Sequence, residues 1–220
     1  MGAQWRSINF DAGAWTGDPV ARVTTTHSSW KDTTMSLTAE TVPGYRTGTW
    51  KIDPTHSEVT FSVRHLAISK VKGKFETFDA TVVTAENPLE STVEASIDVA
   101  SVNTGQEQRD QHLKTSDFFL TEEHPQLTFR STGIEAKGDD LHIAGELTLR
   151  GVTKPVVLKA ELGGFTTDGY GQVKFGAEAT TKIDRTEFGV NWNAAVEAGG
   201  FTLGNEVTIN LDVQFVLQAA

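Results

Sequence analysis

The sequence predicts an all-β fold of about eight antiparallel strands, each with one apolar face, interrupted by a single short helix. Three observations carry this. Apolar and polar residues alternate with period two over most of the chain from residue 47 onward. Clusters of Gly, Asn, Asp and Pro punctuate that alternation at short intervals. One stretch, VNTGQEQRDQHLK, breaks it and carries the chemistry of a helix start. Long strands of this kind either stack as two sheets or close into a barrel. Closure removes exposed edges, and an eight-stranded bore is either filled by side chains or just wide enough for one slim ligand.

Residues 1–46 are rich in Thr, Ser, Gly and Ala, carry isolated tryptophans and show no strand or helix period, so they read as a poorly ordered N-terminal extension. Met35 opens MSLTAETVPGY, which resembles an ordinary protein start, so residues 1–34 read as an upstream over-extension of the native chain. The barrel domain is expected over residues 47–218. Its first amphipathic piece, GTWKIDPTHSEVTFSVRHL, sets Val59, Phe61, Val63 and His65 against Thr60, Ser62 and Arg64. Weaker alternation covers 71–84, 91–99 and 126–135. LHIAGELTLR sets Leu141, Ile143, Leu147 and Leu149 against His142, Glu146 and Thr148. PVVLKAEL sets Val156, Leu158, Ala160 and Leu162 against Val157, Lys159 and Glu161. A weaker segment at 171–183 leads to EVTINLDVQFVL, where Val207, Ile209, Leu211, Val213 and Phe215 share one side. Turns fall at 86–88, 138–140, 150–155 and 168–171.

The helix is expected over 105–114, with Thr104 as N-cap and Glu107 completing a capping box. Arg109, His112 and Leu113 then share a face, and Asp110 and Lys114 form an i,i+4 ion pair. His112 and Asp117 could make an acid–base pair, or a metal site with Asp110. The architectural alternative is that His112 and Lys114 complement the helix end, Asp117 or Ser116 caps the next turn, and Phe118 and Phe119 plug the barrel. Similar choices arise elsewhere. His56 in DPTHS fits a turn that satisfies its own polar groups. His65 continues an apolar face and so points into the bore near one mouth, and Asp184–Arg185 reads as a local ion pair holding a bend.

Composition and motifs exclude several function classes. The chain has 220 residues and no cysteine, so disulfides, thiolate nucleophiles and cysteine zinc sites are absent. The net charge of −10 argues against a nucleic-acid backbone or an anionic lipid surface as the main partner. No apolar run is long enough for a spanning helix, so stable membrane insertion is not expected. The first residues lack the pattern of a secretory signal, and a cytoplasmic location is expected. GxSxG, the P-loop and HExxH are all missing, and the neighbouring carboxylates Glu122–Glu123 and Asp139–Asp140 sit in turns.

Six segments in order resemble the YceI-like family of polyisoprenoid-binding, lipocalin-like proteins: WKIDPTHSEVTFSVRHL, VKGKF, RDQHLKTSDFF, HPQLTFRST, GELTLRGVTKPVVL and DRTEFGV. The resemblance implies an extended eight-stranded antiparallel barrel with the helical insertion on RDQHL. It also implies a long isoprenoid, quinone tail or acyl chain as ligand in the bore, with no other cofactor, no metal and no catalytic residue. Many members of that family are periplasmic with a signal peptide, which this sequence does not display. Face parity selects Phe61, Val63, Phe75, Ile97, Phe129, Leu147, Leu149, Phe175, Ile209 and Leu211 as lining. His65, Arg109 and His112 are placed near a ligand's polar group. A homodimer is left open. Two further classes remain: an enzyme using His56, His65 or His112 as base on a lipid-like substrate, and a filled-barrel interaction domain. The small residues at 176–179 and 194–200 favour space over filling.

Overall fold

The computed structural model describes residues 40–138, 140–195 and 201–219. The stretch 1–34 expected to be an over-extension, Asp139 of the 138–140 turn and most of the small-residue run at 194–200 lie outside the described residues. In chain order the strands are β1 (Gly48–Ile52), β2 (Glu58–His65), β3 (Ser69–Phe75), β4 (Phe78–Thr84), β5 (Thr92–Asp98), β6 (Val102–Asn103), β7 (Gln126–Lys137), β8 (Asp140–Leu149), β9 (Val152–Thr167), β10 (Val173–Asp184) and β11 (Leu203–Leu217). Among the described residues one α-helix, α1 (Glu107–Lys114), lies between β6 and β7. β1 pairs antiparallel with β4 on one side and β11 on the other, closing the ring β1-β4-β5-β7-β8-β9-β10-β11. The alternation therefore resolves as an eight-stranded antiparallel barrel and not a sandwich.

β2, β3 and β6 continue β1, β4 and β5 past three breaks at one level of the wall. β1 and β2 pair with successive parts of β11, and the turn Pro54–His56 separates them. Gln214 seals that break, its carbonyl accepting from Asp53 N at 2.7 Å and its amide donating to Ser57 Oγ at 2.9 Å. Beside it, Ser101 Oγ accepts from the amides of Glu76 and Thr77 at 3.1 and 3.0 Å. The strand expected over 71–84 is thus two strands. The reason is parity: Phe75 and Phe78 both face the bore although they are three residues apart, which an unbroken period-two strand forbids.

Register carries the apolar faces inward as expected. Ile209 lies opposite Phe61, Leu147 opposite Phe129, and Phe175 opposite Phe215. Two glycines admit the larger rings. A Cβ on Gly73 would stand 2.5 Å from Phe61 Cζ, and one on Gly145 would stand 2.4 Å from the Phe129 ring and 2.6 Å from Arg130 O. Each phenylalanine lies across a bare stretch of the neighbouring backbone, a device that pins register.

The two ends of the bore differ. At the end away from α1, Trp50 is fully buried and donates from Nε1 to Thr84 Oγ1 at 2.8 Å. Phe165, Phe175 and Phe215 pack there with centroids 4.9–5.6 Å from their neighbours. Tyr45 joins them edge-on to Phe165 and donates to Ala85 O at 2.7 Å. Ordered contacts therefore begin before residue 47, because a bulky apolar ring two residues upstream completes this plug. At the other end α1, Phe118, Phe188 and Val190 pack against the mouth.

Candidate binding cavity

Inside the barrel is a cavity of about 660 Å³. It runs from Tyr45 and Phe165 at one end to His112 and Trp192 at the other. Every residue selected by face parity lines it: Phe61, Val63, Phe75, Ile97, Phe129, Leu147, Leu149, Phe175, Ile209 and Leu211. His65, Arg109 and His112 line it as well. The rest of the wall is mainly Val, Ile, Leu, Ala and Phe. Ala177 and Ala179 on β10 leave room where larger side chains would fill the bore.

Both arginines of the lining, Arg109 and Arg185, lie at the α1 end with Gln106, Gln108 and His112, whereas the opposite end offers the neutral hydroxyls of Tyr45, Thr84 and Ser91. The helix is shorter than expected, and Gln106, not Thr104, is its N-cap, accepting from the Arg109 amide through its side chain. Thr104 is taken up otherwise: its amide and hydroxyl both donate to Asp110 Oδ1, at 2.9 and 2.5 Å. Arg109 in turn donates from Nε to Thr104 Oγ1 and from Nη2 to Thr104 O, at 2.7 and 2.9 Å. Asp110 is thereby committed to Thr104 in place of the expected pair with Lys114, and the capping box on Glu107 does not form. This clasp fixes Arg109 at the mouth.

His112 Nε2 meets Asp117 Oδ2 at 2.8 Å, and its ring stands edge-on to Phe118 and Trp192, each with centroids 5.0 Å away. Sequence spacing raised the His112–Asp117 pair, and the structure forms it. Asp117 does not cap the next turn. Thr115 serves both sides, its Oγ1 donating to His112 O at 2.8 Å to close α1 and accepting from the Asp117 amide at 3.4 Å. Phe118 is buried and Phe119 half-buried, both on the cavity wall.

Arg185 is the residue that sequence reasoning missed. It is 5% exposed and lines the cavity. It is not in a contact ion pair with Asp184. Nε donates to Gly204 O at 3.0 Å, and Nη1 donates to Val190 O and Trp192 O at 2.7 and 2.8 Å. Asp184 accepts from the Thr186 amide and hydroxyl instead, which pulls its carboxyl below the usual range. Burial lowers the Arg185 pKa from its ordinary value, partly offset by the Asp184 charge. The bend is real, but three backbone carbonyls hold it. A buried cation needs such acceptors, since leaving it unpaired in apolar surroundings is costly. DRTEFGVNW gives no sign of which carbonyls those would be.

His56 lies outside the cavity. It bonds Asp53 Oδ2 at 2.9 Å, as a turn histidine should. Among the described residues no group of three His, Cys, Asp or Glu is arranged to hold a metal ion, and no helix is long and apolar enough to cross a membrane.

Comparison with known proteins agrees with the geometry. The YceI-like domain family matches residues 50–215. Protein YceI of Escherichia coli O17:K52:H18 (strain UMN026 / ExPEC) is 43% identical over 144 residues, covering 64% of this chain and 75% of that protein. The crystal structure of the Campylobacter jejuni YCEI protein superposes with a TM-score of 0.61 at 31% identity, covering 71% of this chain and 90% of that one. A polyisoprenoid binding domain from Saccharophagus degradans shares the fold with a TM-score of 0.60 at 16% identity, over 79% of this chain and all of that one, 100%. The closed barrel, the helix placed at its mouth and the match over residues 50–215 together establish that this chain belongs to the YceI-like family.

Proposed function

We propose that this protein is a binding or carrier protein that holds one long apolar chain, an isoprenoid, a quinone tail or a fatty acyl group, inside the barrel. The carrying observation is the cavity of about 660 Å³ with a mainly apolar wall and both of its arginines, Arg109 and Arg185, at one end. That volume falls within the roughly 300–1,000 Å³ of known small-molecule sites. The solved domain from Saccharophagus degradans that shares this fold is named for polyisoprenoid binding, which supports the same ligand class here. The chain would lie along Leu147, Ile209 and Leu211 with its polar end near Arg109 and His65. At about 0.3 kcal/mol per heavy atom, a chain of about 20 carbons gives roughly 6 kcal/mol, or a Kd in the tens of micromolar. Longer chains bind tighter until the bore is full.

Native mass spectrometry of the purified protein, followed by organic extraction and lipid mass analysis, tests this. One long-chain lipid near unit stoichiometry is the expected result. A clean apo mass that persists after incubation with isoprenoids, quinones and fatty acids rejects it.

A second reading has one specific observation behind it. The 2.8 Å contact between His112 and Asp117 at the mouth has the geometry of an oriented base. The same pair also packs the helix end against Trp192. His112→Ala separates the two: a carrier keeps its lipid with modestly altered affinity, whereas a lipid-acting enzyme loses turnover.

A further inference from the structure

The β2–β3 hairpin projects at the α1 end of the barrel and combines three features that fold stability does not explain. Its turn is built on Leu66 and Ala67 at φ +50° and +58°, closed by Ile68 N donating to His65 O at 3.2 Å. This β-turn lies within the loop that joins the paired His65 and Ser69, and one with both central residues left-handed ordinarily uses Asn-Gly, because a Cβ is strained there. Second, the tip exposes apolar surface: Leu66 is 40% and Ile68 83% exposed. Phe201, 70% exposed, adjoins the hairpin through the Leu66 N–H···O Thr202 bond of 2.8 Å.

Third, the outer face behind the tip is basic in a chain of net charge −10. From Val59 to Phe75 the sequence carries Arg64, Lys70, Lys72 and Lys74 and no acidic residue. All four are exposed. Arg64 and Lys70 stand directly opposite each other across the strands, a like-charge arrangement that disfavours the hairpin. The ion pairs among the described residues engage none of the four. The inner face of the same hairpin, Val63, His65 and Val71, lines the cavity.

We infer that the β2–β3 hairpin is a membrane-docking tip: Leu66, Ile68 and Phe201 enter the interface of an anionic bilayer while Arg64, Lys70 and Lys72, the cations nearest the tip, pair with its headgroups. The wedge of apolar residues rimmed by cations matches the layered chemistry of such a surface, and each lysine or arginine near it adds roughly 1 kcal/mol of attraction, or about fivefold in binding. The net negative charge of the rest of the barrel keeps the contact local and reversible. Docking here brings the cavity wall at His65 to the bilayer, where an apolar chain could pass in or out without crossing water. That purpose rests on the carrier reading; the docking itself is measurable on protein without cargo.

The test is co-sedimentation of the full chain with vesicles of phosphatidylglycerol and phosphatidylcholine, against vesicles of phosphatidylcholine alone, at low and high salt. Binding to the anionic vesicles that salt weakens is expected. The variants Leu66→Asn/Ala67→Gly/Ile68→Thr and Lys70→Gln/Lys72→Gln should each lower partition by at least about tenfold. The first variant relaxes a strained turn, and a denaturation midpoint at or above the wild type's, measured alongside, separates its loss of binding from a loss of fold. Equal binding to both vesicle types, or wild-type binding by both variants, overturns the inference. So does binding to soluble polyglutamate with none to vesicles, which would assign the face to an acidic polypeptide. A barrel that binds anionic vesicles but takes up no lipid chain upholds the docking tip and defeats the carrier reading.

Discussion

Two charged residues show how much a single side chain can decide in this barrel. Arg185 joins Gly204, Val190 and Trp192 through one guanidinium. A lysine keeps the charge but lacks the planar fork, so it leaves at least one buried carbonyl without a donor. Arg185→Lys is expected to cost about 2–3 kcal/mol in urea unfolding. Asp53 works through charge at the wall's bend. Its carboxylate bonds His56 and the Thr55 amide and lies 3.5 Å from Lys174, which also pairs with Asp168 at 3.3 Å. The His56 hydrogen bond is the largest influence holding its pKa down, with the Thr55 amide and the charges of His56 and Lys174 adding, while burial opposes them. A lowered pKa stabilises the fold above the unfolded-state value of about 4, and that contribution is lost as pH falls through the lowered one. Asp53→Asn should therefore lose about 1 kcal/mol at pH 7, and its stability should fall less steeply than the wild type's below about pH 4. Thermal melts from pH 7 to pH 2 read this directly.

At the scale of elements, the β2–β3 turn is the clearest conflict between local preference and observed structure. Leu66 and Ala67 occupy positions that cost an L-residue about 1–2 kcal/mol each relative to glycine. Leu66→Asn/Ala67→Gly is expected to raise stability by about 1–2 kcal/mol, seen as a higher denaturation midpoint at unchanged slope. An unchanged or lower midpoint would mean that the exposed Leu66 contributes packing that its exposure does not suggest. The helix α1 illustrates the opposite case. Its existence was readable from VNTGQEQRDQHLK, but its start was not. Thr104 is a good N-cap by residue type, yet Asp110 and Arg109 reach back to claim its hydroxyl, and the cap falls to Gln106. Capping preference is a local quantity, and the four hydrogen bonds that tie Thr104 to Asp110 and Arg109 outweigh it. The strand expected over 71–84 failed for a similar reason, since period two cannot record a break that puts Phe75 and Phe78 on the same side.

For the whole molecule, the decisive property is the space within the ring. Ala177 and Ala179 face it from β10, opposite Val213 and Leu211. Ala179→Trp should occupy the middle of the bore and reduce lipid recovered by extraction by more than about tenfold, while far-UV circular dichroism stays that of a barrel. Retention of the lipid by that variant would place the ligand elsewhere than between these strands.

The sequence by itself determined the all-β class, the inward faces of the strands and the apolar lining, because alternation is written residue by residue and burial follows parity. It also located the helix and put His112 within reach of Asp117, because both are local in the chain. Tertiary structure alone decided closure, which depends on β1 meeting both β4 and β11 across the whole domain. It alone decided the three aligned breaks, the bond from Arg185 to the Gly204 carbonyl 19 residues on, and the meeting of Arg109 and Arg185 at one mouth of a mainly apolar cavity. These are relations between segments distant in sequence, and no periodicity within a segment encodes which partner it will meet.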